Sequence, residues 1–313
     1  MSVHVEPCHP HFGARVTGFS IADGVSDADF ADIRGAFERY SVIVFPDQPM
    51  ERETQVRFAE RFGELEIAFS RLSDDEIGKR IAYISNVDSD GNIVPPTNKT
   101  MLGHKANSLW HTDSTFKPLT ALASLLYAEV VPPSGGETQY VSTRVAWQQL
   151  PEAKQKQIEG LWAIHDFNHS RNKIAPGINS AHIQNLSPDQ RRPMVRVNPA
   201  NGEKSIYIAS HAKAIEGMDD DAALALIDEL TEWCTRDEFV YTHQWQVGEM
   251  VMWDNRATMH RGRSWNDTEH VRKMHRATVI DPEILDANYG DEDTYSRSQE
   301  ALKPVNEELK RRA

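Results

Sequence analysis

Leu109-Trp110-His111-Thr112-Asp113-Ser114-Thr115-Phe116, followed by the apolar run Leu122–Val131, is the stretch on which the reading of this chain turns. On a strand, residues two apart point to the same face, so His111 and Asp113 are expected side by side. His260, far downstream, supplies a second imidazole. Two imidazoles and one carboxylate can occupy one face of an iron(II) ion and leave the opposite face open. Taken alone, an HxD pair occurs often by chance, and a lone His is more often a core or surface residue. His260 itself reads equally well as a loop histidine beside Arg261-Gly262-Arg263.

Working outward, short elements surround this stretch. Ser26 or Asp27 can cap a helix running to about Tyr40, with Phe30, Ile33 and Phe37 on one face. Ser41–Phe45 reads as a buried strand ended by Pro46, and Glu51–Phe62 as a helix stopped by Gly63. Ile81–Val87, Leu122–Val131 and Thr138–Val141 read as strands, with residues 88–105 a long loop between the first two. Arg144–Leu161 is predicted helical with a break at Pro151, and Asn168–Arg192 polar and irregular. Met194–Val197 and Ser205–Ile208 flank the hairpin signal Asn198-Pro199-Ala200-Asn201-Gly202. Asp219 caps a helix to Cys234, and Phe239–His243, Met250–Trp253 and Met274–Ile280 are the last strands. Many short strands with a few peripheral helices predict a mainly β fold with α insertions around a double-stranded β-helix (jelly-roll, cupin-like) core.

The chain of 313 residues contains no Pro/Gly/Ser-rich linker, so residues 1–313 are read as one domain with a tail from about residue 281. Leu302, Val305 and Leu309 in that tail have the spacing of a weak amphipathic helix, but a solvated or intersubunit tail is the preferred reading. Lys+Arg is 34 against Asp+Glu 47, a formal charge of −13, which argues against a nucleic-acid partner. A few arginines inside a pocket remain compatible with capture of a small anion. Two cysteines, Cys8 and Cys234, without CxxC, argue against a disulfide framework or zinc ribbon. No signal peptide and no long apolar run are visible, so a cytoplasmic protein without a membrane span is expected. GxSxG, HExxH, GxGxxG and GxxxxGK[ST] are all missing.

Arg272 and Arg276, four apart at the last strand, would share a face there, and an arginine fork suits a carboxylate. By spacing alone they read as two surface arginines on an acidic protein. The Thr138 hydroxyl, after the Gly135-Gly136 turn, is able to donate to an anion, but says nothing alone.

Five runs in order carry more weight: Leu109–Phe116, Pro132-Pro133-Ser134-Gly135-Gly136-Glu137-Thr138, Met252-Trp253-Asp254-Asn255-Arg256, His260-Arg261-Gly262-Arg263 and Arg272-Lys273-Met274-His275-Arg276-Ala277-Thr278. With them the chain, from about Pro10 to Ile280, resembles the iron(II)- and 2-oxoglutarate-dependent dioxygenases of the taurine dioxygenase and 2,4-dichlorophenoxyacetate dioxygenase family. Ser41–Phe45 and Phe58-Ala59-Glu60-Arg61-Phe62-Gly63 look family-like too. The resemblance implies His111, Asp113 and His260 as iron ligands, and Thr138 and Arg272 as the residues holding the distal carboxylate of 2-oxoglutarate. It places Arg276 and Asn107 at the substrate. It implies Fe(II) as cofactor, 2-oxoglutarate and O2 as cosubstrates, and succinate and CO2 as products. The retained carboxylate of Asp113 points to hydroxylation rather than halogenation. Both arginines lie one residue further from His260 than the family spacing, and the loop Trp265–Val271 is expected to absorb that residue.

For the substrate, Arg61–Ser70 lacks the histidines with which taurine dioxygenases meet a sulfonate. His9-Pro10-His11-Phe12, Ile84–Gly91 and Phe239–Trp245 look closer to the phenoxyacetate branch. The resemblance therefore implies a small anionic substrate, favoured as an aryloxyalkanoate cleaved to a phenol and a keto or aldehyde acid. An alkylsulfonate, alkylsulfate or small amino acid is the alternative, and a non-catalytic small-anion sensor on the same scaffold is a third reading. Relatives of this kind form dimers or tetramers, so a homo-oligomer is expected.

Overall fold

Val42–Phe45 is buried at all four positions, as a strand covered on both faces must be. The computed structural model describes residues 2–68, 75–98, 101–102, 105–177 and 189–282. The first half holds β1 (His4–Pro7), β2 (Ala14–Thr17), α1 (Asp27–Tyr40), β3 (Val42–Phe45), α2 (Arg52–Glu60), β4 (Ala82–Ser85), β5 (Ala121–Val130) and β6 (Thr138–Ser142). Then come α3 (Thr143–Gln149), α4 (Glu152–Ile158), β7 (Trp162–His165), α5 (Phe167–Ile174), β8 (Gln190–Pro193), β9 (Val195–Val197), β10 (Lys204–Ile206) and β11 (Ala212–Ile215). The chain closes with α6 (Asp220–Cys234), β12 (Val240–His243), β13 (Met250–Asp254), β14 (Thr258–Gly262) and β15 (Lys273–Ile280).

A seven-stranded sheet in the order β1-β2-β3-β13-β5-β15-β4 faces a three-stranded sheet β12-β6-β14. From β5 onward, β5, β13 and β15 lie in the large sheet and β6, β12 and β14 in the small one, while β7–β11 form two further small sheets between β6 and β12; the two facing sheets make the jelly-roll core. Period-two alternation divides the large sheet. Val42, Val44, Leu126, Val251, Trp253 and Met274 point inward to Tyr140 of the small sheet. Their neighbours Ile43, Phe45, Leu125, Met250, Met252 and Val279 point outward to Ile33 and Phe37 of α1 and Val56 and Phe58 of α2. The small sheet repeats the pattern: Val141 and Met259 face a helical layer with Trp147, Leu226 and Leu230, while Tyr140 and His260 face in. His260 thus lies between the sheets, its ring 4.6 Å from that of Trp253.

Local chemistry explains the helix limits. Ser26 caps α1, its Oγ accepting from Asp29 N at 3.1 Å, and Ser41 ends it in the left-handed conformation at φ 61°. Asp219 caps α6, accepting from Asp221 N and Ala222 N. The β13–β14 turn is tied to α1 by Arg256, which donates to Asp254 Oδ1 at 2.9 Å, Glu38 Oε2 at 2.7 Å and Asn198 Oδ1 at 3.1 Å.

Three expectations change. Thr258–Gly262 is a strand, so His260 is not a loop residue. Asn168–Arg192 is not wholly irregular: it contains most of α5 and the start of β8, while residues 178–188 lie outside the described residues. β7 and β11, which pair with each other, have no counterpart in the sequence reading because four-residue strands with mixed polarity carry little periodicity. The tail helix around Leu302, Val305 and Leu309 lies outside the described residues. No helix among the described residues is long and apolar enough to cross a membrane.

Candidate active site

His111 and His260 form an isolated antiparallel bridge. His111 N donates to His260 O at 3.0 Å and His260 N to His111 O at 2.8 Å. Directly opposed residues carry their side chains on one face, and the two ring centroids are 4.2 Å apart. Asp113 does not lie on a strand as expected. The chain turns there, and Ser114 takes φ 59°, which brings the carboxylate back toward the histidines. One ligand atom from each of His111, Asp113 and His260 falls within 4.8 Å of the others, and all three residues are buried.

Asp113 is held from three sides. Ser124 Oγ of β5 donates to its Oδ2 at 2.7 Å, and Arg276 Nη1 of β15 donates to its Oδ1 at 2.6 Å. Its backbone N–H donates to Asn255 Oδ1 at 3.2 Å. Asn255 in turn donates through Nδ2 to Ser124 Oγ at 3.0 Å and accepts from Trp253 Nε1 at 3.1 Å. Thr112, between the two ligands, donates to the Thr258 carbonyl at 2.9 Å and pins the turn to β14.

Protonation states suit metal binding. Burial opposes ionisation of Asp113, but the Arg276 guanidinium and the hydrogen bond from Ser124 outweigh it and hold the carboxyl well below its usual range. Burial pushes both His111 and His260 down, so both rings are neutral. His111 Nδ1 lies 2.7 Å from the Leu109 carbonyl oxygen, which can only accept, so Nδ1 carries the hydrogen and Nε2 keeps its lone pair. His260 Nδ1 is buried without a partner among the described residues. Two neutral imidazoles and one carboxylate on one side are the donor set that Fe(II) takes in oxygenases, with the opposite face open.

Beyond the cluster lies a charge without a counter-ion. Arg272 is 6 % exposed, and no carboxylate among the described residues pairs with it. Burial pulls its guanidinium down to about 10. Its Nε donates to the Gly136 carbonyl at 3.2 Å, and its backbone N to Asn86 Oδ1 at 2.8 Å. Gly136 is required there: its φ is +72°, and a Cβ would stand 3.2 Å from Arg272 Cδ and Nε. Thr138, two residues on, accepts from Trp245 Nε1 at 3.0 Å, which leaves its own hydroxyl hydrogen to donate. A buried, unpaired guanidinium beside a free hydroxyl donor is a receptacle for a carboxylate.

The loop between β14 and β15 is tied down just before Arg272, where Asn86 Nδ2 donates to the Asp267 and His270 carbonyls at 2.8 and 2.9 Å. Arg272 and Arg276 both reach the inner face, as their spacing predicts. Asn107 lies in a 3-10 turn, Ala106–Ser108, packed against α5 and β14. The sequence reading missed Ser124, Asn255, His211 and Arg171. His211 is buried, with its ring 6.4 Å from His111 and 4.6 Å from Phe116. Phe116 meets Phe167 of α5 at 4.8 Å, which extends an aromatic surface away from the cluster. Asn255 was visible as part of Trp253-Asp254-Asn255-Arg256, but without a role.

Comparison with known proteins agrees with this geometry. The profile of the family described as "Taurine catabolism dioxygenase TauD, TfdA family" matches residues 4–278. The chain is 37% identical over 288 residues to an alpha-ketoglutarate-dependent 2,4-dichlorophenoxyacetate dioxygenase of Cupriavidus pinatubonensis, covering 91% of this chain and 100% of the relative. It is 35% identical to an (S)-phenoxypropionate/alpha-ketoglutarate-dioxygenase of Sphingobium herbicidovorans, covering 89% of this chain and 95% of that one. The crystal structure of AAD-2 in complex with Mn(II) and N-oxalylglycine superposes with a TM-score of 0.83 at 32% identity, covering 90% of this chain and 97% of the other. A buried His-Asp-His cluster, a buried arginine with no carboxylate partner among the described residues, donating to the turn that leads to Thr138, and a family match over residues 4–278 converge, and the protein belongs to the TauD/TfdA family of Fe(II)- and 2-oxoglutarate-dependent dioxygenases.

Proposed function

We propose that the enzyme hydroxylates an aryloxyalkanoate at the carbon between the ether oxygen and the carboxylate. The hemiacetal or hemiketal so formed collapses to a phenol and an aldehyde or keto acid, while 2-oxoglutarate and O2 become succinate and CO2. The observation that carries this reading is the aromatic surface of Phe116, Phe167 and His211 beside the His-Asp-His cluster, a wall suited to an aryl ring. The relatives named for 2,4-dichlorophenoxyacetate and phenoxypropionate support it.

In this reading His111, Asp113 and His260 hold Fe(II), which supplies the O2-dependent oxidation when bound. Thr138 and Arg272 take the distal carboxylate of 2-oxoglutarate. Arg276, expected at the substrate, braces Asp113 through the 2.6 Å contact, and Asn107 borders the substrate side. The chain's own contribution is orientation: the bridge between His111 and His260 and the Ser124–Asn255 contacts set the ligands before any substrate arrives. Residues 1–313 serve one dioxygenase domain, working in the cytoplasm as a dimer or tetramer, a setting supported by the two free cysteines.

The test is a substrate panel with iron and 2-oxoglutarate, scored for phenol and succinate together. Equal yields of phenol and succinate from aryloxyacetates are expected. Succinate formation coupled to alkylsulfonates or alkylsulfates, with no phenol released from aryloxyacetates, overturns the substrate assignment and leaves the reaction class intact.

A further inference from the structure

We propose that Arg171 is the residue that receives the substrate's carboxylate, an assignment that rests on the aryloxyalkanoate reading above. Arg171 is on α5, which packs against the Ala106–Ser108 turn that leads into His111. Its guanidinium lies over the ring of Phe167, one helical turn earlier, with Cζ 4.7 Å from the centroid. Phe167 meets Phe116, Phe116 meets His211, and His211 stands edge-on to His111. A continuous aromatic surface therefore runs from this cation to the metal cluster. An anion held by Arg171 would lay an attached ring over that same surface.

Charge accounting selects Arg171 over its neighbours. Burial pulls two described arginines, Arg171 and Arg272, down to about 10. Neither has a carboxylate partner among the described residues, and no described group hydrogen bonds to the Arg171 guanidinium. Arg276 is already engaged by Asp113 at 2.6 Å, and Arg256 by Asp254 and Glu38. The sequence from Arg171 to Pro188 contains no Asp or Glu, so the residues that follow α5 bring no counter-ion. Arg171 lies near enough to Asp113, His111 and Arg276 to act on them electrostatically, yet Asp113 is taken. Among the described residues the site thus presents two guanidiniums without a counter-ion, and the reaction brings two carboxylates that need receiving: one from 2-oxoglutarate at Arg272, one from the substrate at Arg171.

The experiment uses iron-loaded protein with Arg171→Gln and Arg171→Lys. It reads KM and kcat for 2,4-dichlorophenoxyacetate, KM for 2-oxoglutarate, and the anaerobic visible band of the iron–2-oxoglutarate complex with and without aryloxyacetate. Arg171→Gln is expected to raise KM for the aryloxyacetate about thirtyfold or more, leaving the band and KM for 2-oxoglutarate unchanged. Arg171→Lys, which keeps the charge but lacks the fork, is expected to raise it less, by about threefold or more. An aryloxyacetate KM within threefold of wild type in Arg171→Gln, with the band intact, overturns the assignment. Should the Gln variant lose the band, the Lys variant decides by the same criterion. If the wild-type band does not respond to aryloxyacetate and no phenol is released, the substrate reading fails and takes this assignment with it. A wild-type response matched by both variants removes Arg171 alone.

Discussion

Ser124 Oγ stands 2.7 Å from Asp113 Oδ2, and it is the only link by which β5, a central strand of the large sheet, reaches a metal-ligand side chain among the described contacts. The hydroxyl also accepts from Asn255, so its hydrogen is committed to Asp113. Ser124→Ala removes one atom from a packed strand and should leave the fold intact. The carboxylate would then be steered by Arg276 alone. A loss of about ten- to a hundredfold in Fe(II) affinity is expected, the range seen when a partner of a metal ligand is removed. Anaerobic titration with Fe(II) in the presence of 2-oxoglutarate measures it.

Arg272 illustrates a conflict between stability and binding. Its buried guanidinium has no anionic partner among the described residues, so Arg272→Met should raise the melting temperature of the free enzyme. The same change removes a charge-assisted anchor. It should weaken 2-oxoglutarate binding by at least about 2 kcal/mol, roughly thirtyfold. Thermal melting with and without 2-oxoglutarate reads both effects. The wild type should be stabilised by the ligand and the variant should not.

His165 gives the fold a pH dependence of its own. It lies fully buried on β7, with neither ring nitrogen paired among the described residues, and burial reinforced by Arg192 pushes it down to about 3. Below about pH 6.5 the unfolded chain takes up a proton here that the folded chain refuses. Stability from this group is therefore complete above that pH and is lost as pH falls toward 3, with a slope approaching about 1.4 kcal/mol per pH unit. His165→Phe should flatten the dependence of the urea midpoint on pH between 4 and 6. An unchanged slope would show that other groups set it.

The legible parts of this chain were those where function and packing use the same residues. β3, β5, β13 and β15 read directly from apolar runs, because they are buried on both faces. Ser26 and Asp219 marked helix starts by their capping oxygens. His111, Asp113 and His260 were expected together from their spacing and order, and the fold does bring their side chains to one place. Ser124 was hidden as one small polar residue inside an apolar strand, with nothing in its neighbours to mark a hydrogen bond across to Asp113. β14 was missed for a functional reason: Thr258–Gly262 carries His260 inward and Arg261 outward, and so breaks the apolar pattern of a strand. α5 escaped notice because Phe167–Ile174 is short and polar, and its one large aromatic serves the site rather than the core.

The clamp made by Asn86 fastens the loop before the last strand to the site. Both ends of its side-chain amide are spent on the segment 267–272, while just upstream the Ser264 carbonyl accepts from Gly136 N and the Arg272 guanidinium lies over the Trp265 ring. The loop is thus fastened on both sides of the arginine, and a change of length that displaces Trp265 or breaks the amide clamp would carry the guanidinium with it.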